Sequence, residues 1–265
     1  MKVSDARKKM RAQRAAKRKA LRLARQKKVA TKIVSSEPQN IEDPSGANTP
    51  SKISKGPKKN TLVMFSSGLD STAALYWMLR NTDDNIYVHR IILDNKEGRS
   101  KAENQAAENI IRWLRQNCRA FTYAESSYSY KGYTPYDMYI YMHMAAIRAL
   151  ELRNRRRTLN RVVTGSIKMY RRSTGVEKRR AKAWKIFSST YGYSGVEWYK
   201  PLLEFTKEDV YNYLPEGLSE LTHSCRKPIN RGTQPCGKCH SCMAMKRVRG
   251  KLTKQQIKQY KRWNE

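Results

Sequence analysis

Four cysteines near the C-terminus, Cys225, Cys236, Cys239 and Cys242, follow the spacing C-x10-C-x2-C-x2-C in the stretch HSCRKPINRGTQPCGKCHSCMAMKR. Four thiolates that close in sequence can complete a tetrahedral Zn²⁺ site. With every position taken by protein no place is left for water, so such a site is structural. Gly237 eases the tight turn between ligands, and Arg226, Lys227 and Lys238 offset the negative charge of a tetrathiolate. His240 lies between two of the cysteines and could replace one, but a complete set of four cysteines makes it an exposed polar side chain. An iron–sulfur cluster also takes four cysteines, and spacing does not separate the two chemistries. The fifth cysteine, Cys118, falls in an amphipathic pattern and reads as a buried small hydrophobe.

A second group, Ser66-Ser67-Gly68-Leu69-Asp70-Ser71-Thr72, directly follows the apolar run TLVMF. Small residues let backbone amides approach an anion closely, and Gly68 can take a positive φ without strain. Ser66, Ser71 and Thr72 add hydroxyl donors, and a helix beginning here aims its N-terminal amides at the same point. The segment therefore has the chemistry of a phosphate cradle. Asp70 would repel phosphate, unless it meets a Mg²⁺ bridging the phosphates or caps the helix. No Gly-Lys-Ser/Thr follows at the spacing of a Walker A loop. On composition alone, an ordinary strand–turn–helix with Ser and Asp as caps accounts for the segment equally well.

Both groups need a scaffold to hold them. Thr61–Phe65 predicts a buried strand and Ala73–Arg80 the following helix. Ile86–Asp94 predicts a second strand, Lys101–Asn117 a helix, and Ala120–Ala124 a third strand. Tyr136–Arg153 predicts a long helix, and Arg161–Thr164 a strand before Gly165 and Ser166. Strands alternating with helices of this length imply βαβ units in an α/β, doubly wound, mostly parallel sheet, with the cysteine segment as a small C-terminal addition. Ligands of such sheets bind beyond the carboxyl ends of the strands. The loops after Phe65, Asp94 and Thr164 are thus expected to face one common site.

The chain has 265 residues, a formal charge of +33 and a mean hydropathy of -0.83, which suits one domain with very polar appendages. Residues 1–34 carry fourteen basic side chains against Asp5 alone, a net +13 that leaves +20 on the remainder. Like charges repel along that segment and no apolar stripe runs through it, so it reads as a disordered basic tail able to contact nucleic acid. Residues 35–59 are rich in Ser, Pro, Gly and Asn and read as a linker. The division that follows is a nucleotide-binding domain over 60–220 and a zinc-binding segment with a C-terminal helix over 221–265. A basic chain attracts nucleotides, RNA, DNA and anionic lipids alike, so the charge singles out no partner. No run approaches the ~18 apolar residues of a membrane span, and residues 1–34 lack the apolar stretch of a secretory signal. With cysteines spaced as metal ligands, the expectation is a soluble protein of the reducing cytoplasm, without a membrane partner.

FSSGLDST after a buried strand resembles the SGGxDS signature of the PP-loop ATP pyrophosphatases, adenine nucleotide α-hydrolases that split ATP into AMP and pyrophosphate while activating a substrate as its adenylate. Ser67 stands where that family usually has its first Gly. A PP-loop at the start of the domain and a CGxCxxC cluster at its end, here PCGKCHSCMAMKR, is similar to the 7-cyano-7-deazaguanine synthase family of queuosine-precursor enzymes. The approach KPLLEFTKEDVYNYLPEGLSELTHSC is similar as well, and the likeness runs from about Leu62 to about Arg247. The resemblance implies an ATP-dependent ligase that adenylates the carboxylate of 7-carboxy-7-deazaguanine, accepts ammonia to give an amide, and activates again to reach the nitrile. It assigns Ser66, Ser67, Gly68, Leu69, Asp70, Ser71 and Thr72 to ATP with Mg²⁺, Asp70 and Ser71 to catalysis, and the four cysteines to Zn²⁺. Asp94 could contact nucleotide or substrate, or cap the turn before Asn95 and Gly98. Gly165 could let the chain pass close to the ligand, or be a turn glycine. A homodimer is a further partner to consider. Where the family has an acidic residue soon after the strand-end Gly, this chain has Lys168, Arg171 and Arg172, and no Arg-Asn pair opens the helix after YTPYDM.

Two other functions fit the same residues. A PP-loop enzyme acting on tRNA or DNA could use Arg153, Arg155–Arg157, Arg171, Arg172 and Lys178–Arg180 for phosphates, with Tyr128, Tyr130, Tyr133, Tyr136, Tyr139 and Tyr141 stacking on bases. Amphipathic packing explains the same tyrosines more simply. A degenerate, non-enzymatic scaffold with a basic arm is the third reading.

Overall fold

The computed structural model describes residues 58–131, 136–168 and 174–250. The basic segment, nearly all of the linker, Tyr133, Arg171, Arg172 and residues 251–265 lie outside the described residues.

Strand β1 (Asn60–Phe65) is buried from Thr61 to Phe65, as befits a strand covered on both faces. It pairs in parallel with β2 (Asn85–Asp94) on one side and β4 (Arg161–Val163) on the other. β2 continues to β3 (Thr122–Ser129) and β4 to β5 (Glu197–Tyr199), giving an all-parallel sheet of order β3-β2-β1-β4-β5. The third strand is longer than Ala120–Ala124 and ends at Ser129, because it follows β2 to the pair Asp94–Ser129. β5 has only three residues, too few for alternation to betray it.

Helices α1 (Leu69–Asn81) and α2 (Ser100–Asn117) link β1, β2 and β3, while α3 (Asp137–Asn154) and α4 (Thr174–Tyr191) flank the return to β4 and β5. On the α3–α4 side, Leu62, Met64 and Val162 meet Met142, Ala145, Ala149, Phe187 and Tyr191 in one buried cluster. Alanines on α3 let α4 approach, and Trp184 stacks between Phe187 and Trp198 at 4.8 and 5.6 Å. α1 starts at Leu69, earlier than Ala73, because the Leu69 side chain is fully buried and the hydroxyls of Ser71 and Thr72 both donate to Gly68 O. Short helices α5 (Lys207–Tyr213), α6 (Glu216–Leu221) and α7 (His240–Val248) carry the chain to and through the cysteines. A capping box between Thr206 and Asp209 opens α5.

Cys118 is not inside a helix core: it forms the C-cap of α2 and is half-buried. Burial still pushes its thiol up to about 11, against the pull of Arg80 and Arg119. Among the described residues no helix is long and apolar enough to cross a membrane.

Candidate nucleotide loop and metal centre

The strand order reverses between β1 and β4, since β2 and β3 lie to one side of β1 and β4 and β5 to the other. Crevices at such switch points are where open α/β sheets take ligands. Ser66–Thr72 leaves β1 there and Gly165 leaves β4 beside it. Their backbones nearly touch: a Cβ on Gly165 would lie 2.6 Å from Ser71 N and 2.7 Å from Asp70 C. Gly165 therefore admits the neighbouring loop, a closer constraint than an ordinary turn imposes.

Within the loop the left-handed residue is Ser67, at φ 56°, whereas Gly68 is extended at φ -80°. This corrects the expectation that Gly68 supplies the positive φ. Burial and two hydrogen bonds hold the strained Ser67. Its side chain is buried, its Oγ donates to Ser66 O at 2.6 Å, and its own carbonyl accepts from His223 N at 2.9 Å. Ser71 Oγ accepts from Ser66 N at 3.1 Å and donates to Gly68 O at 3.1 Å, while Thr72 Oγ1 donates to Gly68 O at 2.8 Å. These hydroxyls brace the turn rather than project from it. The groups left to meet an anion are the first amides of α1, where the helix dipole is positive.

Asp70 neither caps the helix nor stands free. Lys207 Nζ, at the start of α5, donates to Asp70 Oδ1 at 2.7 Å, in a pair that is mostly shielded from solvent. Lys207 is the charged neighbour of the loop that the local pattern does not single out, although the Thr206–Asp209 box at its helix start is legible. Asp94 stands further along its strand than the point where this loop leaves β1. β2 runs four residues past the level of Phe65, which pairs with Arg90, so Asp94 lies ~13 Å further along the strand. There it accepts from Ser129 Oγ at 3.1 Å and approaches Lys131 Nζ at 3.5 Å. Asn95 takes the capping role instead, its Oδ1 accepting from Glu97 N at 2.9 Å.

The chain then returns to the loop from 155 residues away. Ser224 Oγ lies 3.5 Å from Leu69 N, and His223 O lies 3.7 Å from a Cβ placed on Gly68. His223 Nε2 is buried without a hydrogen-bond partner among the described residues, an orphaned nitrogen beside the loop. Next comes Cys225. Its Sγ lies 3.6 Å from that of Cys236 and 3.9 Å from that of Cys239, and Cys236 Sγ lies 4.0 Å from Cys242 Sγ. All four sulfurs fall within 4.8 Å of one another. A tetrahedron with ~2.3 Å metal–sulfur bonds has edges of ~3.8 Å, so this set fits one ion. A four-iron cluster gives each thiolate its own iron and spreads the sulfurs wider than this. Gly237, at φ 73°, makes the turn between ligands as expected. Burial raises the thiols of Cys225 and Cys242. Burial also opposes ionisation of Cys236, but the amides of Lys238 and Cys239 and the neighbouring thiols outweigh it and draw Cys236 down to about 6.

Arg226 fastens this segment to the body. Its guanidinium reaches Glu97 at 2.8 Å and Asp137 at 3.1 Å, and Asp137 also holds the buried Arg99 at 2.6 Å.

No family model matches the chain, and no curated protein matches it either. Among solved structures it is similar to the U34-tRNA thiolase NcsA from Methanococcus maripaludis, determined with its [4Fe-4S] cluster. The two share 12% identity over 78% of this chain and 72% of the other, with a TM-score of 0.43.

Proposed function

We propose that the chain is a PP-loop enzyme that binds ATP at Ser66–Thr72 and cleaves it between the α- and β-phosphates to activate a carboxylate. The observation that supports this most is the pairing of α1's N-terminal amides with Lys207, 2.7 Å from Asp70, at the switch point of the sheet. Phosphates entering the loop compete with Asp70 for the Lys207 ammonium. Asp70, once released, is the carboxylate placed to hold Mg²⁺, whose charge offsets that of the polyphosphate.

The chemistry needs little more from the protein than position. A carboxylate oxygen of the substrate attacks the α-phosphorus and pyrophosphate leaves, giving an acyl-adenylate. Ammonia then adds to the acyl carbon, AMP departs with the C–O electron pair, and loss of a proton leaves the amide. In a second adenylation the amide oxygen attacks the α-phosphorus and pyrophosphate leaves. AMP then departs with the C–O electron pair as both N–H protons are lost, giving the nitrile. Held in line, such reactants gain most of their rate from avoided entropy loss and from amides facing the developing charge. Ser71 acts here as a brace of the loop, since its hydroxyl is committed to Ser66 N and Gly68 O. The substrate favoured by the sequence resemblance is 7-carboxy-7-deazaguanine, and sulfur separations of 3.6 to 4.0 Å favour a single structural Zn²⁺ in the cysteine site.

Mass spectrometry of the products formed from ATP, ammonium and 7-carboxy-7-deazaguanine tests this reading. Amide or nitrile with stoichiometric AMP supports it. AMP and pyrophosphate without deazaguanine product would keep the ATP chemistry and discard that substrate. No pyrophosphate with this carboxylate, tRNA or DNA would leave a nucleic-acid-binding scaffold.

A further inference from the structure

We infer that the edge of the sheet formed by Tyr128, Tyr136 and the exposed cations of α4 is a docking surface for single-stranded nucleic acid. Most tyrosines of this region pack inward: Tyr130, Tyr139 and Tyr141 lie against the core. Tyr128 and Tyr136 do not, being 40% and 37% exposed. Tyr128 lies at the end of β3 and Tyr136 precedes α3, so both stand at the carboxyl edge that also carries the phosphate loop.

Each exposed ring is backed by a fixed one. Tyr128 lies 5.7 Å from Tyr130, whose hydroxyl accepts from Asn95 Nδ2 at 2.8 Å and donates to Asp137 Oδ1 at 3.1 Å. Tyr136 lies 5.0 Å from Tyr139, and the Arg179 guanidinium sits 5.5 Å from the Tyr136 ring centre. Beyond Arg179, further cations on α4 and at the end of β3 carry little opposing charge. Among the described residues Lys178 and Arg179 meet no carboxylate within ion-pair distance, and Lys182 and Lys185 are exposed on the same helix. Lys131 is 79% exposed and only loosely held by Asp94.

Flat, pre-oriented rings with unneutralised cations beside them suit a ligand that carries both π-faces and phosphates. A single strand presents its base faces, whereas a duplex hides them in the stack. An acidic peptide would satisfy the cations and leave the rings unused. The surface stands independently of ATP chemistry and is measurable without ATP.

The test is fluorescence anisotropy of the full chain with a labelled oligouridylate and with an abasic strand of equal length. Residues 1–34 attract both strands through phosphates, so the difference between strands isolates the bases. Replacing both rings (Tyr128→Ala with Tyr136→Ala) should weaken the base-bearing strand by ~10-fold or more and leave the abasic strand unchanged. The Phe replacements at both positions should keep wild-type affinity. Arg179→Ala should weaken both strands and lower the salt dependence by about one counterion. Wild-type affinity in the double Ala variant, equal losses on both strands, or no binding of either strand would overturn the inference. Unchanged melting curves for the variants separate these outcomes from unfolding.

Discussion

The backbone N–H of His223 donates to the carbonyl of Ser67 over 2.9 Å, joining the segment that leads into the first cysteine of the cluster to the one left-handed residue of the Ser66–Thr72 loop. Ser67 occupies the left-handed region, which costs an L-residue ~1–2 kcal/mol. Such a conformation persists only where the surroundings over-determine it. Ser66 O, His223 N and burial provide that here, and Ser224 adds a contact to Leu69 N.

Metal in the cysteine site should therefore support nucleotide binding from a distance. Stripping it frees Cys225 and slackens residues 223–226. Titration with a fluorescent ATP analogue, before chelation, after it and after Zn²⁺ is restored, should show affinity falling ~10-fold and returning. Unchanged affinity in the stripped, folded protein would sever the link.

Gly165 offers a sharper steric test. Gly165→Ala forces a Cβ to within 2.6 Å of Ser71 N, and the obstructing atoms are backbone. The loops must part. Overpacking of this kind costs ~1–3 kcal/mol, readable as a lower melting temperature with weaker ATP binding. A variant as stable as the parent would show that the two loops yield easily.

Lys207→Ala removes the cation beside the phosphate loop while leaving Asp70 able to reach solvent. Loss of kcat/KM for ATP on the order of 100-fold is expected, as for removal of a group facing developing charge. Stability should move by about 1 kcal/mol or less, because Asp70, 30% exposed, keeps contact with water once its partner is gone. Lys207→Arg should restore part of the activity. Steady-state kinetics beside thermal melts distinguishes this from simple unfolding.

His89 should make stability depend on pH. Its Nε2 meets Ser126 Oγ at 2.9 Å, while Nδ1 is buried without a partner among the described residues. Burial, reinforced by Arg148, lowers its pKa to about 4. An unfolded histidine titrates near ~6.5, so in the interval down to about 4 the unfolded chain binds the proton more readily than the native one. Stability is full above that interval and declines as pH falls through it, by up to about 3 kcal/mol. Denaturant melts at neutral and mildly acidic pH should show this slope, and His89→Gln should flatten it.

Much of this arrangement is visible in the sequence because it is local. The cysteine spacing brings four sulfurs together, and the buried run before Ser66 places the loop at a strand end. Other features needed the fold. Ser67 rather than Gly68 takes the positive φ, and its carbonyl is held by the N–H of His223, a partner from far along the sequence. Asp94 ends its strand four residues beyond Arg90, the partner of Phe65, a consequence of register that no local pattern encodes. The run EKRRAKAWKIF in α4 hides its apolar face behind five cations, and only its packing on α3 reveals it.

The most direct measurement follows the α-phosphate itself. ATP labelled at that position, incubated with Mg²⁺ and 7-carboxy-7-deazaguanine with ammonium, should yield labelled AMP and no labelled ADP, and Asp70→Asn should abolish the product. Labelled ADP, or AMP formed equally well by Asp70→Asn, would contradict cleavage at the Ser66–Thr72 loop.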